Sequence, residues 1–220
     1  MTYAQKLREY FIPYADESQA MAMKKYLRGQ FDFLGIQTPL RREVTRAFLK
    51  DFGLPPVSEL HHTVVDLWEL PERELQLVAL DLCQRMSKRI NESHITTLEY
   101  MLTHKQWWDT IDLTAANLAG KYFKNYPKKI PLYIPKWRDS EDFWLNRSAI
   151  LFQLKYKEET NTSLLTECIL KHINSKEFFL QKAIGWVLRE YSKTNPEWVR
   201  AFIKNNQLAK LSIKEGIKYL

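Results

Sequence analysis

Apolar residues recur at three- and four-residue intervals along nearly the whole chain, without long apolar–polar alternation in β-branched runs. That spacing puts one apolar stripe on a 3.6-residue helix. It predicts helices near 3–13, 18–29, 39–51, 57–69, 72–88, 94–103, 108–124, 130–138, 142–156, 163–173, 177–192, 196–205 and 212–219. Their starts carry recognisable chemistry. Thr38-Pro39 reads as an N-cap followed by proline at the first helical position, and Asn195-Pro196-Glu197 repeats that device before Trp198. Pro71-Glu72-Arg73-Glu74 opens a further helix with acid in its first turn, where the helix dipole favours it.

Aromatic pairs give the pattern a longer period. Trp107-Trp108, Phe143-Trp144 and Phe178-Phe179 each begin a helical segment, with 36 residues from Trp107 to Phe143 and 35 from Phe143 to Phe178. A long amphipathic helix followed by a shorter one, repeated at that interval, predicts an all-α, curved solenoid of helical hairpins. A non-repeating helix bundle is the alternative. Glu72 to Lys88 resembles the same long helix one period earlier, without the aromatic pair. In a solenoid the long helices of successive repeats line one surface, expected here to be the concave one. Residues 1–30 fall outside the period and are expected to form a capping helical hairpin. No Ser/Thr/Gly-rich linker divides the rest, so residues 1–220 are expected to form a single domain, with stacked repeats over 31–220, and a monomer.

Composition narrows the partners. The chain has 220 residues, enough to bury roughly 70–75% of its unfolded surface, and the scarcity of glycine, six in all, favours helix. A formal charge of +7 points to an anionic partner such as nucleic acid or a membrane surface, beside the plainer reading of a basic solvated surface. No signal-peptide pattern or apolar run near 18 residues occurs, so no membrane association and a cytoplasmic location are expected. Cys83 and Cys168 sit among apolar neighbours and read as buried free thiols. His61, His62, His94, His104 and His172 lack zinc-site spacing, and no glycine-rich phosphate loop is present, so neither a metal nor a cofactor is expected.

Three groups share helix faces in successive repeats. Trp108 and Asp112 are four residues apart; Arg147 is followed eight residues on by Lys155; Trp186, Arg189 and Lys193 stand at i, i+3 and i+7. Indoles, one carboxylate and several cations on one surface suit a polyanion gripped by its phosphates. Competing structural readings are packing between repeats for Trp108 and Trp186, a solvated helix charge for Asp112, and an ion pair with an inter-repeat acid for Arg147. Trp107 and Trp144 read as core.

The chain resembles the AlkD family of DNA glycosylases, HEAT-like repeat proteins that remove alkylated purines. The matching stretches are Phe33-Leu34-Gly35-Ile36-Gln37-Thr38-Pro39, Leu70-Pro71-Glu72-Arg73-Glu74, Trp107-Trp108-Asp109 with Asp112, Ile134-Pro135-Lys136-Trp137, Trp144-Leu145-Asn146-Arg147 onward through Lys157, and Lys176-Glu177-Phe178-Phe179 through Tyr191. The resemblance implies a catalytic carboxylate at Asp112, lesion-flanking indoles at Trp108 and Trp186, and Arg147 near the backbone. It further implies DNA contacts or groove positions at Tyr26, Gln37, Thr38, Arg42, Lys155, Arg189 and Lys193. The implied activity is excision of positively charged N3- and N7-alkylpurines (3-methyladenine and 7-methylguanine type) from double-stranded DNA without base flipping. The alternatives are a non-catalytic relative that binds distorted or branched DNA, and a helical-repeat scaffold for proteins.

Overall fold

A computed structural model describes residues 1–220. Helix follows helix throughout, and the one extended contact is a parallel bridge between Asp32 and Glu72. The chain forms two compact units, residues 1–100 and 101–220.

The first unit contains α1 (Tyr3–Phe11), α2 (Glu17–Tyr26), α3 (Thr38–Phe52), α4 (Leu60–Glu69) and α5 (Arg73–Met86). The boundary between the units falls within α6 (Ile95–Thr103). A reciprocal cap between Thr2 and Gln5 starts α1, which packs on α3 and α4. Leu7, Phe11, Phe48, Leu67 and Trp68 fill the core there without exposure to solvent.

The second unit begins with α7 (Trp108–Leu113), a π-helical turn (Thr114–Ala119) and α8 (Gly120–Asn125), in continuous succession. It continues with α9 (Ile130–Arg138), α10 (Phe143–Leu151), α11 (Thr162–Lys171), α12 (Phe178–Ser192), α13 (Pro196–Asn205) and α14 (Lys210–Gly216). α10 packs on α7, α9, α11 and α12, while α13 and α14 pack on α12. Tyr122, Phe123, Trp137 and Phe152 are buried at its centre, with Phe123 edge-on to both Trp137 and Phe152.

The repeat is more regular than the aromatic pairs suggest. Its long helices begin at Thr38, Arg73, Trp108, Phe143 and Phe178, each 35 residues after the last. Trp107 therefore corresponds to Asp142 and Glu177, not to Phe143, which corrects the 36-residue spacing. All three are N-cap positions. The carboxylates of Asp142 and Glu177 accept from the N–H of Trp144 and Phe179, whereas an indole offers no acceptor. Another correction moves the cap of α3 to Gln37, leaving Thr38 as the first helical residue. At Asn195 the expected cap is present, accepting from the N–H of Trp198 at 3.0 Å.

A second device recurs in the same register. The amides of Gln76, Asn146 and Gln181, at intervals that are multiples of 35 residues, donate to carbonyls at the end of the preceding helix or in the connection after it. Asn146 alone reaches the carbonyls of Trp137, Arg138 and Ser140, at 2.9–3.0 Å. These amides satisfy acceptors that a helix end leaves unpaired. In the α7 repeat this register holds Ile111, and Gln106 takes over by donating to Leu102 O and the Asp142 carboxylate.

The segment 142–156 is not one helix, because α10 ends at Leu151 and the chain tightens into three-residue turns through Tyr156. Tertiary contacts decide this. The backbone of Phe152 passes so close to Gly120 that a Cβ there would lie 2.5 Å from Phe152 O. The Tyr156 hydroxyl donates to Gly120 O at 2.7 Å, and the Gln153 side-chain amide donates to Asn161 O and accepts from Asn161 N–H. Lys155 is consequently a turn residue, off the helical stripe of Arg147.

Candidate nucleic-acid interface

Asp112 and Arg147 meet although 35 residues separate them. Both lie at the fifth position of their long helices, so neighbouring repeats bring the same register side by side. Arg147 Nε donates to Asp112 Oδ1 at 2.7 Å and Nη2 to Oδ2 at 2.9 Å, a two-pronged match between planar groups. The remaining arm, Nη1, donates to Phe179 O. The side chains are 5% exposed for Arg147 and 15% for Asp112, so the carboxylate touches water along one edge only.

Burial pushes the Asp112 carboxyl above its ordinary value, while the hydrogen bonds and charge of Arg147 pull it down. A carboxylate has about four lone-pair sites, and Arg147 occupies two. Capacity remains for a water or another donor at the exposed edge. Behind the pair lies an aromatic wall. Trp144 packs against Phe179 at 4.8 Å and Trp107 at 5.8 Å, and the Arg147 guanidinium lies 5.9 Å from the Phe179 ring centre. Trp144 is buried as expected, whereas Trp107 is half-buried with its indole N–H lacking an acceptor.

Trp108 stands one turn before Asp112 on α7 and is half-buried. The π-helical turn that follows Leu113 is a feature often found beside functional groups. Trp186, on α12, is also half-buried. Arg189, one turn later, donates to Glu215 Oε2 at 2.8 Å, an internal partner that the sequence did not reveal. Lys155 and Lys193 line one groove of about 550 Å³ with Gln153, Lys157 and Tyr191. The two residues thus line one groove, shared with Glu158 and Glu190, although they reach it from a turn and a helix end and not from a common stripe. Lys193 also pairs with Glu190 at 2.7 Å and lies 4.9 Å from the Tyr219 ring centre.

The first unit carries the other four sequence-predicted residues. Tyr26, the last residue of α2, is 71% exposed. Gln37 donates its amide to Gln19 on α2 at 2.7 Å, and Thr38 and Arg42 are exposed on the first turns of α3. A buried carboxylate holds the loop that leads to them. Glu74, fully buried on α5, accepts the N–H groups of Leu34, Gly35 and Ile36 at 2.8–3.1 Å. Gly35 has φ +87°, and a Cβ there would fall 1.9 Å from Asp16 O. Only glycine fits that approach. Sequence reading placed Glu74 as a first-turn acid and missed this role; its signal is an acid at a register where α10 and α12 carry Trp144 and Phe179.

No helix of the protein is long and apolar enough to cross a membrane. No curated protein gives a significant sequence match. Among solved structures, the chain is similar to a predicted DNA alkylation repair enzyme from Enterococcus faecalis, with 35% identity, a TM-score of 0.86, and coverage of 94% of this chain and 96% of that one. It is also similar in fold to AlkD2 from Streptococcus mutans, at 20% identity and a TM-score of 0.63, covering 90% of this chain and 99% of that one. The sequence pattern described as DNA alkylation repair enzyme matches residues 7–220, and the chain belongs to that family.

Proposed function

We propose that the protein is a monofunctional DNA glycosylase that hydrolyses the N-glycosidic bond of positively charged N3- and N7-alkylpurines in duplex DNA. The observation that carries this reading is the Asp112–Arg147 pair, a carboxylate fixed on one side, wet on the other, and one turn from the half-buried Trp108. An N3- or N7-alkylpurine already bears a positive charge and leaves without an acid to protonate it. As the bond from C1′ to the base nitrogen breaks, its electron pair neutralises the base and positive charge develops on the sugar, as in glycoside hydrolysis. Asp112 faces that charge without having to reorient, because Arg147 holds both its oxygens. Water adds to C1′ and loses its proton to the carboxylate or to solvent, leaving the free base and an abasic site.

Indole faces at Trp108 and Trp186 attract a cationic nucleoside by about 0.5–2 kcal/mol each. A neutral base gains none of this, so the lesion's own charge supplies selectivity. In this reading the lesion stays in the helical stack while Arg42, Lys155, Arg189 and Lys193 hold phosphates, and Tyr26, Gln37 and Thr38 contact the duplex. The enzyme works as a monomer in the cytoplasm, at the nucleoid when bound to DNA, and needs no cofactor. No lysine is singled out as a Schiff-base nucleophile, so strand cleavage is not part of its activity.

One observation favours a second reading. The pairing of Asp112 with Arg147 also suits a structural ion pair, in a relative that binds distorted DNA without cutting the base. Incubation with methylated duplex, followed by measurement of released 7-methylguanine and 3-methyladenine, separates the two. Release by the native protein, reduced about 10²–10³-fold in Asp112→Asn, is expected. No release, or equal release by the variant, overturns the catalytic reading and leaves the binding one.

A further inference from the structure

The register that pairs Asp112 with Arg147 has a third member in the second unit, 35 residues beyond Arg147. That residue is Lys182, at the fifth position of α12, where the sequence reading assigned nothing. Continuity with the pair is visible in the hydrogen bonds: the third arm of Arg147 reaches Phe179 O, one turn before Lys182. Lys182 Nζ donates to Glu215 Oε1 at 2.9 Å, and its side chain is 38% exposed.

Glu215 gathers cations. Arg189 Nη1 and Lys218 Nζ each donate to its Oε2 at 2.8 Å, so three cations share one carboxylate and two positive charges remain uncompensated. The carboxylate is held firmly, because α14 packs on α12 at Gly185, where a Cβ would lie 2.5 Å from Glu215 Cβ. Lys182 and Arg189 stand four residues before and three after Trp186, so all three share a helix face. The half-buried Trp186 is thereby flanked along α12 by two cations whose head groups one acid keeps in place.

We propose that Lys182 binds a backbone phosphate of the duplex beside the nucleotide that Trp186 contacts, with Glu215 as the positioning residue for both Lys182 and Arg189. An ammonium has three N–H donors, and Glu215 takes one. The other two can engage a phosphodiester oxygen while the excess charge of the cluster offsets the carboxylate's repulsion. The proposal rests on the DNA-binding part of the functional reading and is independent of whether the base is cut.

The test is the salt dependence of binding to undamaged and methylated duplex, read by fluorescence anisotropy between 50 and 300 mM KCl on the full chain, about the range in which counterion release dominates. Lys182→Met is expected to weaken binding about three- to tenfold at ~150 mM salt and to reduce the slope of log K against log salt by about 0.9, one phosphate contact. Lys182→Arg is expected to restore both. Lys218→Met also removes one cation from Glu215 but not the ammonium proposed to meet the phosphate, and is expected to weaken binding less than Lys182→Met and to leave the slope unchanged. An unchanged slope in Lys182→Met, or an equal loss in Lys218→Met, overturns the proposal. Released methylpurine is measured on the same samples. Its absence from native protein, with the slope change intact, overturns catalysis and leaves this proposal standing; native protein that does not bind duplex overturns both.

Discussion

Asp112 and Arg147 answer each other's charge in a place where neither can be well hydrated. Breaking such a pair from one side is costly: Arg147→Ala leaves the carboxylate without its cation, and a loss of about 3–5 kcal/mol in unfolding free energy is expected by denaturant titration. A loss below about 1 kcal/mol would mean that water replaces the guanidinium without difficulty. The pH dependence has a definite sign. Because burial raises the folded-state value of Asp112 above the ordinary 3.8, the folded chain takes up that proton before the unfolded chain does. Protonation of Asp112 therefore favours the folded state as pH falls through the folded-state value, yet removes the carboxylate that the proposed reaction needs. Single-turnover excision is expected to fall on acidification with a midpoint above 3.8, with no parallel fall in Tm assignable to this group. An activity limb that tracks Tm contradicts the assignment. Sequence spacing put Trp108 and Asp112 on one face, since that needs only helix geometry. It left open whether Arg147 served DNA or an internal acid, because the answer depends on which residue of a neighbouring repeat lies opposite.

At the level of elements, the loop before α3 depends on one buried acid. Glu74→Ala leaves three backbone N–H groups without their acceptor, each worth about 1–3 kcal/mol when buried and unpaired. A destabilisation of about 3 kcal/mol or more is expected, read as a Tm lower by roughly 10 °C for a chain of this size. Glu74→Gln keeps one acceptor oxygen and is expected to lose less; equal losses would show that charge and not acceptor count holds the loop. The helices themselves were legible, since apolar period, caps and prolines are local signals. The end of α10 was not. Its apolar pattern continues past Leu151, and only the approach of Phe152 to Gly120 and the anchoring of Tyr156 and Gln153 turn the chain aside.

For the whole molecule, the net charge of +7 gives a partner class without an address. If Arg42, Lys155, Lys182, Arg189 and Lys193 each neutralise one phosphate, log K against log salt is expected to have a slope of about −4 to −5. A slope near zero would favour the protein-scaffold alternative. The sequence by itself determined the all-α class, the near-35-residue repetition and the buried thiols, and it offered the side chains on which the proposed function draws, because periodicity and side-chain type are properties of the chain alone. Only tertiary structure decided the partners of those side chains. The Asp112–Arg147 and Lys182–Glu215 pairs span 35 and 33 residues, and Glu74 reaches 40 residues back to Leu34. Long-range pairing arises where packed helices set one register against another, and a single chain read in order does not contain that coordinate.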